Sequence, residues 1–169
     1  MKLVLESSSS KQTLEYGKNF SALLKGGEII LLEGPLGAGK TTFVKGVVAG
    51  LGYGGRVLSP SFIISRLYKT KKYSVYHVDL YRLQAEDIFE AGIGIDFYDK
   101  NVIYLIEWGQ KLKKELSECM EVKFEFLKEN ARCLTFLMKG PGIKKFSEST
   151  KFKAKRSVAS RYKTRSKKR

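Results

Sequence analysis

Glu28-Ile29-Ile30-Leu31-Leu32-Glu33-Gly34-Pro35-Leu36-Gly37-Ala38-Gly39-Lys40-Thr41-Thr42-Phe43-Val44 decides the fold of this 169-residue chain. Within it, residues 34–41 fit the phosphate-loop pattern G-x-x-x-x-G-K-[ST] at every required position. Residues 28–33 read as a buried strand. Residues 41–51 read as a helix with Phe43, Val44, Val47, Val48 and Leu51 along one apolar face. Strand, glycine loop and helix in that order raise the motif above chance. Gly34, Pro35, Leu36, Gly37, Ala38 and Gly39 are expected to wrap the α- and β-phosphates of a nucleotide with backbone N–H groups, helped by the positive end of the helix dipole. Lys40 is expected to reach the β- and γ-phosphates, and the Thr41 hydroxyl to bind Mg²⁺, with Thr42 as a second hydroxyl of the loop.

The length suits one α/β domain with a proper core, and 43% hydrophobic residues suits a soluble globular protein. No window approaches the roughly 18 apolar residues that a membrane span needs. The apolar run at residues 3–5 is too short for a secretory signal, so a cytoplasmic location is expected. Cys119 and Cys133 lie near no pair of histidines, since His77 is the sole histidine. They read as reduced thiols packed near a strand pair. The net charge of +15 is uneven: residues 144–169 hold twelve Lys or Arg and one acid, Glu148, whereas residues 1–143 hold twenty basic and sixteen acidic residues. A nucleotide-binding domain at 1–143 followed by a basic tail at 144–169, expected to be disordered, accounts for this division.

Along the chain, residues 2–5 read as a short strand. Ser9-Ser10-Lys11-Gln12 opens a helix to about residue 24, which Gly26-Gly27 would end. Residues 61–68 and 73–78 flank a polar turn and read as a hairpin, and residues 121–127 and 132–138 as a second. Residues 102–106 read as a central buried strand, and residues 84–91 and 109–116 as helices. The result is a single α/β domain resembling P-loop NTPases, with a mainly parallel sheet.

A phosphate loop needs a carboxylate at a neighbouring strand end. Two strands run into acids, at Asp79 and Glu107. Strand ends in open α/β sheets point at the crevice holding the phosphate loop, so both acids qualify as metal or water ligands, or alternatively as caps of the turns that follow. In a strand His77 shares the face of Asp79, either as a packed, hydrogen-bonded residue or as part of the site. Trp108, the sole tryptophan, is a core anchor or a wall for the base. Ser59-Pro60-Ser61-Phe62 lies where segments that sense a γ-phosphate tend to sit.

Taken together, residues 34–42, Ser59-Pro60-Ser61-Phe62, His77-Val78-Asp79-Leu80-Tyr81-Arg82-Leu83 and Ile106-Glu107-Trp108 resemble the TsaE family, the small bacterial ATPases of tRNA threonylcarbamoyladenosine biosynthesis. The resemblance runs from about residue 9 to residue 140. It implies a compact P-loop domain that binds ATP and Mg²⁺ and hydrolyses ATP slowly alone. It also implies partnership with the TsaD and TsaB proteins, which transfer threonylcarbamoyl to an adenosine beside the anticodon. On this pattern Lys40 grips phosphate and Thr41 binds Mg²⁺. Asp79 is the Walker-B-like acid, and Glu107 either orients water or completes the metal shell. Two positions depart from the pattern: Pro35 replaces the usual Asp, and Ile63 replaces a hydroxyl residue.

Competing classes lack their marks. A small-molecule kinase needs an arginine-rich lid, and none is evident. A guanine-reading switch needs Asn-Lys-x-Asp, which is absent. Arg82 is a candidate arginine finger in cis, with a partner-donated one as the alternative. The tail interleaves Lys and Arg with Ser, Phe152 and Tyr162, so salt-dependent contact with tRNA is its functional reading, against a merely solvated tail.

Overall fold

A row of apolar strand residues, Ile30 to Leu32 and Val102 to Ile106, forms the middle of the molecule because both its faces are covered. The computed structural model describes residues 2–83, 87, 99–128 and 131–138. The elements are β1 (Lys2–Ser7), α1 (Ser10–Ser21), β2 (Ile29–Glu33), α2 (Lys40–Gly50), β3 (Ser65–Lys69), β4 (Ser74–Asp79), β5 (Val102–Glu107), a 3₁₀ turn at Gly109–Leu112, β6 (Met120–Lys128) and β7 (Ala131–Leu137). Seven strands form one sheet in the order β1-β7-β6-β2-β5-β4-β3. The four central strands β6, β2, β5 and β4 are parallel. Antiparallel β3 closes one edge and the antiparallel pair β7 and β1 the other. The fold is α/β, with a parallel centre and antiparallel margins.

Alternation along the strands divides the core. Ile30, Leu32, Val75, Ile103 and Leu105 join Phe20, Phe43, Val44 and Val47 of the two helices in one cluster. Leu31, Val78, Tyr104 and Ile106 belong to a second cluster. The odd-numbered positions of β4 and β5 thus face the helices, and continuing that parity brings His77, Asp79 and Glu107 to the same side.

The helices approach closely because glycine lines their crossing. A Cβ built on Gly46 would stand 2.0 Å from the Leu14 carbonyl oxygen, and one on Gly17 would stand 2.2 Å from that of Phe43. Ser9 caps α1, its hydroxyl accepting from Gln12 N at 3.1 Å. The return bond is displaced by one residue, since Gln12 Oε1 accepts from Ser8 N at 2.8 Å.

Two boundaries differ from expectation. Helix α1 stops at Ser21 with Ala22 as its cap, so Gly26-Gly27 does not terminate it. That pair instead turns into β2, where Glu28 accepts from the amides of Lys25 and Gly26. The helix expected at residues 109–116 is a single 3₁₀ turn. Lys111 reaches back from it to the carbonyls of Leu80 and Tyr81, which pins the segment across the strand ends. Strand β3 starts four residues later than expected, after a turn at residues 61–64. The helix expected at 84–91 and the tail at 144–169 lie outside the described residues.

Gly46→Ala is expected to destabilise the protein by about 2 kcal/mol, because overpacking outweighs the gain in helix propensity of about 1 kcal/mol. Urea unfolding followed by circular dichroism measures this; an unchanged midpoint would mean the helices separate without cost.

Candidate active site

The loop at residues 34–39 bends sharply between β2 and α2, with Gly37 at φ 76° and Gly39 at φ 103°, a region that side-chain-bearing residues rarely enter. Gly39 is the N-cap of α2, so the first helical amides open onto the loop's concavity. The pocket here has a volume of about 230 Å³. Leu36, Gly37, Gly39, Lys40, Thr41 and Thr42 line it from the loop side, and Ser59, Ser61, Asp79, Tyr81, Glu107 and Trp108 from the strand-end side. Gly34, Pro35 and Ala38, also expected in the site, are not among the lining residues. Ala38 is fully buried. The Gly34 and Pro35 carbonyls instead accept from Lys40 Nζ at 2.7 and 2.9 Å.

Lys40 is only 4% exposed. Burial pushes its ammonium pKa below the usual lysine value, and the nearby carboxylates of Glu107 and Asp79 offset part of that. Its Nζ lies 4.2 Å from the centroid of the Trp108 ring, a cation–π contact. Trp108 is half-buried with φ 60°, held there by its amide donating to Leu32 O at 2.9 Å. Its ring meets Tyr81 at 5.0 Å between centroids. Trp108 therefore both packs on the second core cluster and forms a pocket wall.

Asp79 and Glu107 are register partners on adjacent parallel strands, and both are buried. Glu107 Oε1 accepts from Thr41 Oγ1 at 2.7 Å and lies 2.8 Å from His77 Nε2. Nδ1 of the fully buried His77 makes no hydrogen bond among the described residues. Asp79 Oδ1 accepts from Tyr81 N at 3.0 Å, while Oδ2 accepts from the Ser61 hydroxyl, which in turn pairs with Ser59. The Ser59–Ser61 segment is thereby joined to the acid pair.

The donor set is hydroxyl and carboxylate oxygen, which suits Mg²⁺ better than a softer metal. Among the described residues no group of three His, Cys, Asp or Glu side chains forms a metal cage. A metal here would complete its shell with water and phosphate, as Mg²⁺ commonly does. Arg82 is exposed and stacks over the Phe62 ring at 4.8 Å, and it is not among the pocket-lining residues. Tyr81 as a lining residue and the bond from His77 to Glu107 went unread in the sequence. Only the shared parity of His77 and Asp79 hinted at the second. Cys133 is buried within β7, which raises its thiol pKa, and Cys119 is half-buried before β6; neither forms a disulfide. No helix among the described residues is long and apolar enough to cross a membrane.

Fold and site together define an α/β protein of the P-loop NTPase type. Residues 7–134 match the family described as threonylcarbamoyl adenosine biosynthesis protein TsaE. The tRNA threonylcarbamoyladenosine biosynthesis protein TsaE of Rickettsia prowazekii is 38% identical over 127 residues, 73% of this chain and 87% of that protein. Its namesake in Bacillus subtilis is 33% identical over 132 residues, 77% and 82% of the two chains. The crystal structure of YdiB from Bacillus subtilis superposes with a TM-score of 0.71 at 29% identity, covering 88% of this chain and 93% of that one. The chain belongs to the TsaE family.

Burying the Lys40 ammonium, even bound to two carbonyls, carries a stability cost. The isolated Lys40→Met protein is expected to be as stable as the parent or about 1 kcal/mol more so near neutral pH. Because the folded pKa is lowered, the unfolded chain holds the Lys40 proton more tightly. The penalty is full below that lowered pKa and fades as pH rises towards the free-lysine value, so the difference between the proteins should narrow in alkali. Denaturant titrations at two pH values test this; a substantially less stable variant would show that Lys40 holds the empty loop together.

Proposed function

We propose that this protein is a Mg²⁺-dependent ATPase that supports threonylcarbamoyladenosine modification of tRNA by acting as an accessory to a TsaD–TsaB pair. The observation carrying the proposal is the bond from Thr41 Oγ1 to Glu107 Oε1 at 2.7 Å, which sets a carboxylate beside the metal-binding hydroxyl of a complete phosphate loop. Membership of the TsaE family supports the biosynthetic role.

In this reading the loop amides and the α2 N-terminus receive the α- and β-phosphates of ATP, and Lys40 leaves its two carbonyls for the β- and γ-phosphates. Thr41 and Asp79 would hold Mg²⁺, which would supply charge neutralisation to the transferring group. Glu107 Oε1 is occupied by Thr41 and His77, so its other oxygen, which makes no hydrogen bond among the described residues, orients the attacking water. Trp108 and Tyr81 wall the nucleotide. Ser61, tied to Asp79, couples the Ser59–Ser61 segment to the state of the γ-phosphate.

Around this pocket the surface is unusually apolar: Leu36, Phe62, Ile63 and Tyr81 are all exposed, Phe62 by 84%. An apolar rim beside a nucleotide pocket is what a protein partner would cover, and TsaD–TsaB is the pair proposed to cover it. Such a partner would supply a cationic group to the γ-phosphate, since Arg82 is directed at Phe62. The cytoplasm is the compartment this activity requires, and Cys119 and Cys133, which form no disulfide, suit it.

Nucleotide binding is read by the fluorescence of Trp108, the sole tryptophan. Lys40→Ala is expected to lose ATP binding, whereas Glu107→Gln should bind ATP and hydrolyse it about a hundredfold more slowly. Equal loss of binding in both would refute the role given to Glu107. Adding TsaD and TsaB should stimulate hydrolysis by the parent protein. Tight ATP binding without stimulation, together with a phosphorylated acceptor, would point to a kinase instead.

A further inference from the structure

Position 77 lies on the helix-facing side of β4, among Val75 on its own strand and Ile103 and Leu105 on the paired β5. An apolar side chain would fill such a place with no polar group to satisfy. Histidine stands there instead, 0% exposed, with Nε2 2.8 Å from Glu107 Oε1 and Nδ1 making no hydrogen bond among the described residues. Burying an imidazole with one nitrogen unmatched is unfavourable, so packing alone does not account for it. The Tyr68 ring backs the imidazole at 6.5 Å between centroids. Tyr68 is itself anchored, its hydroxyl donating to Leu58 O at 2.9 Å and accepting from Leu58 N at 3.2 Å.

The other donor on the same oxygen is less constant. Thr41 Oγ1 donates to Glu107 Oε1 at 2.7 Å, but Thr41 belongs to the first turn of α2 beside the phosphate loop, and its oxygen gains a second task once a metal binds. The last torsion of a glutamate is broad and roughly two-fold, so a carboxylate held by one shared hydroxyl is free to exchange its two oxygens. A second donor from the sheet prevents that exchange. His77 and Glu107 sit on adjacent parallel strands in fixed register, so their separation does not depend on the loop. With Oε1 held, Oε2 is left for the pocket that Glu107 lines.

We infer that His77, donating through Nε2, is the positioning residue of Glu107. It keeps the carboxylate in one rotamer with the pocket empty and with nucleotide bound, so that Oε2 faces the attacking water, and it touches no substrate itself. This role rests on the reading of the pocket as an ATPase site, and deepens it by naming what holds the water-orienting carboxylate.

The test compares steady-state ATP hydrolysis with Mg²⁺ by the full chain in parent, His77→Leu and His77→Gln forms. Circular dichroism and ATP binding read from Trp108 check folding. His77→Leu should lower kcat about tenfold to a hundredfold, as for other residues that orient the ligands of a metal site, with KM for ATP unchanged. His77→Gln, which keeps an N–H donor, should recover most of kcat. Parent-like kcat in His77→Leu overturns the proposal. Equal losses in both variants also overturn it, because the shape of the side chain and not its donor would then matter. His77 is the sole histidine, so its ring signals in ¹⁵N-resolved NMR are unambiguous. They should show Nε2 protonated, with a proton shift that moves in Glu107→Gln and persists when Mg²⁺ and a non-hydrolysable ATP analogue are bound. Protonation at Nδ1 alone, or loss of the contact on analogue binding, overturns the proposal even where neither variant folds. A parent chain that binds the analogue and hydrolyses no ATP sinks the ATPase reading, and the spectrum still decides whether His77 holds Glu107.

Discussion

One carboxylate oxygen holds the site in place. Glu107 Oε1 receives Thr41 from α2 and His77 from β4 while sitting on β5, so three elements meet at a single buried acceptor. A buried carboxylate is costly unless it is hydrogen-bonded, and here both donors come from elements fixed by the core rather than from mobile loops. The donors are themselves buried or half-buried, which limits the rotamers available to each. The arrangement explains why a fully buried histidine lies between Val75 and Asp79 on the helix-facing side of β4: the sheet presents its ring to Glu107.

That acceptor can work only if α2 starts at a fixed height above the sheet. It also needs a fixed lateral position, which is set where Gly46 and Gly17 let the backbones of α2 and α1 approach until any Cβ would collide with a carbonyl. Phe20, Phe43, Phe124 and Phe136 then fill the space beneath, with ring centroids 5.5 to 5.9 Å apart. The aromatic layer fixes the separation of helix and sheet, and the glycines fix the lateral position. Together they keep Thr41 within hydrogen-bonding reach of a residue 66 positions away in sequence.

How much of this was readable in the sequence follows from the range of each interaction. The phosphate loop, the Ser9 cap, the two hairpins and the buried β5 are local patterns, and each could be read from a few neighbouring residues. Asp79 and Glu107 were readable as strand-end acids, but their pairing needs the order of the parallel strands, which no local signal encodes. The bond between His77 and Glu107 is lost for the same reason. The missed boundaries have a different cause. Residues 109–116 carry helix-forming side chains, yet Lys111 is drawn to the carbonyls after β4, and Trp108 enters the segment in a left-handed conformation. Tertiary contacts overrode propensity there. At α1 the glycine pair looked like a helix stop, whereas Gly26 is small because the Lys100 carbonyl and the Tyr73 ring press on it.

The same strand directions that bring Asp79 and Glu107 together at one end of the sheet carry Lys25, Lys72 and Lys100, which precede β2, β4 and β5, to the other. Parallel β2, β4 and β5 deliver their C-termini to the pocket and their N-terminal loops to the opposite end. Helix α2 runs between the two: Lys40 opens it in the pocket, and Gly52, just past its end, touches the Lys71 stem.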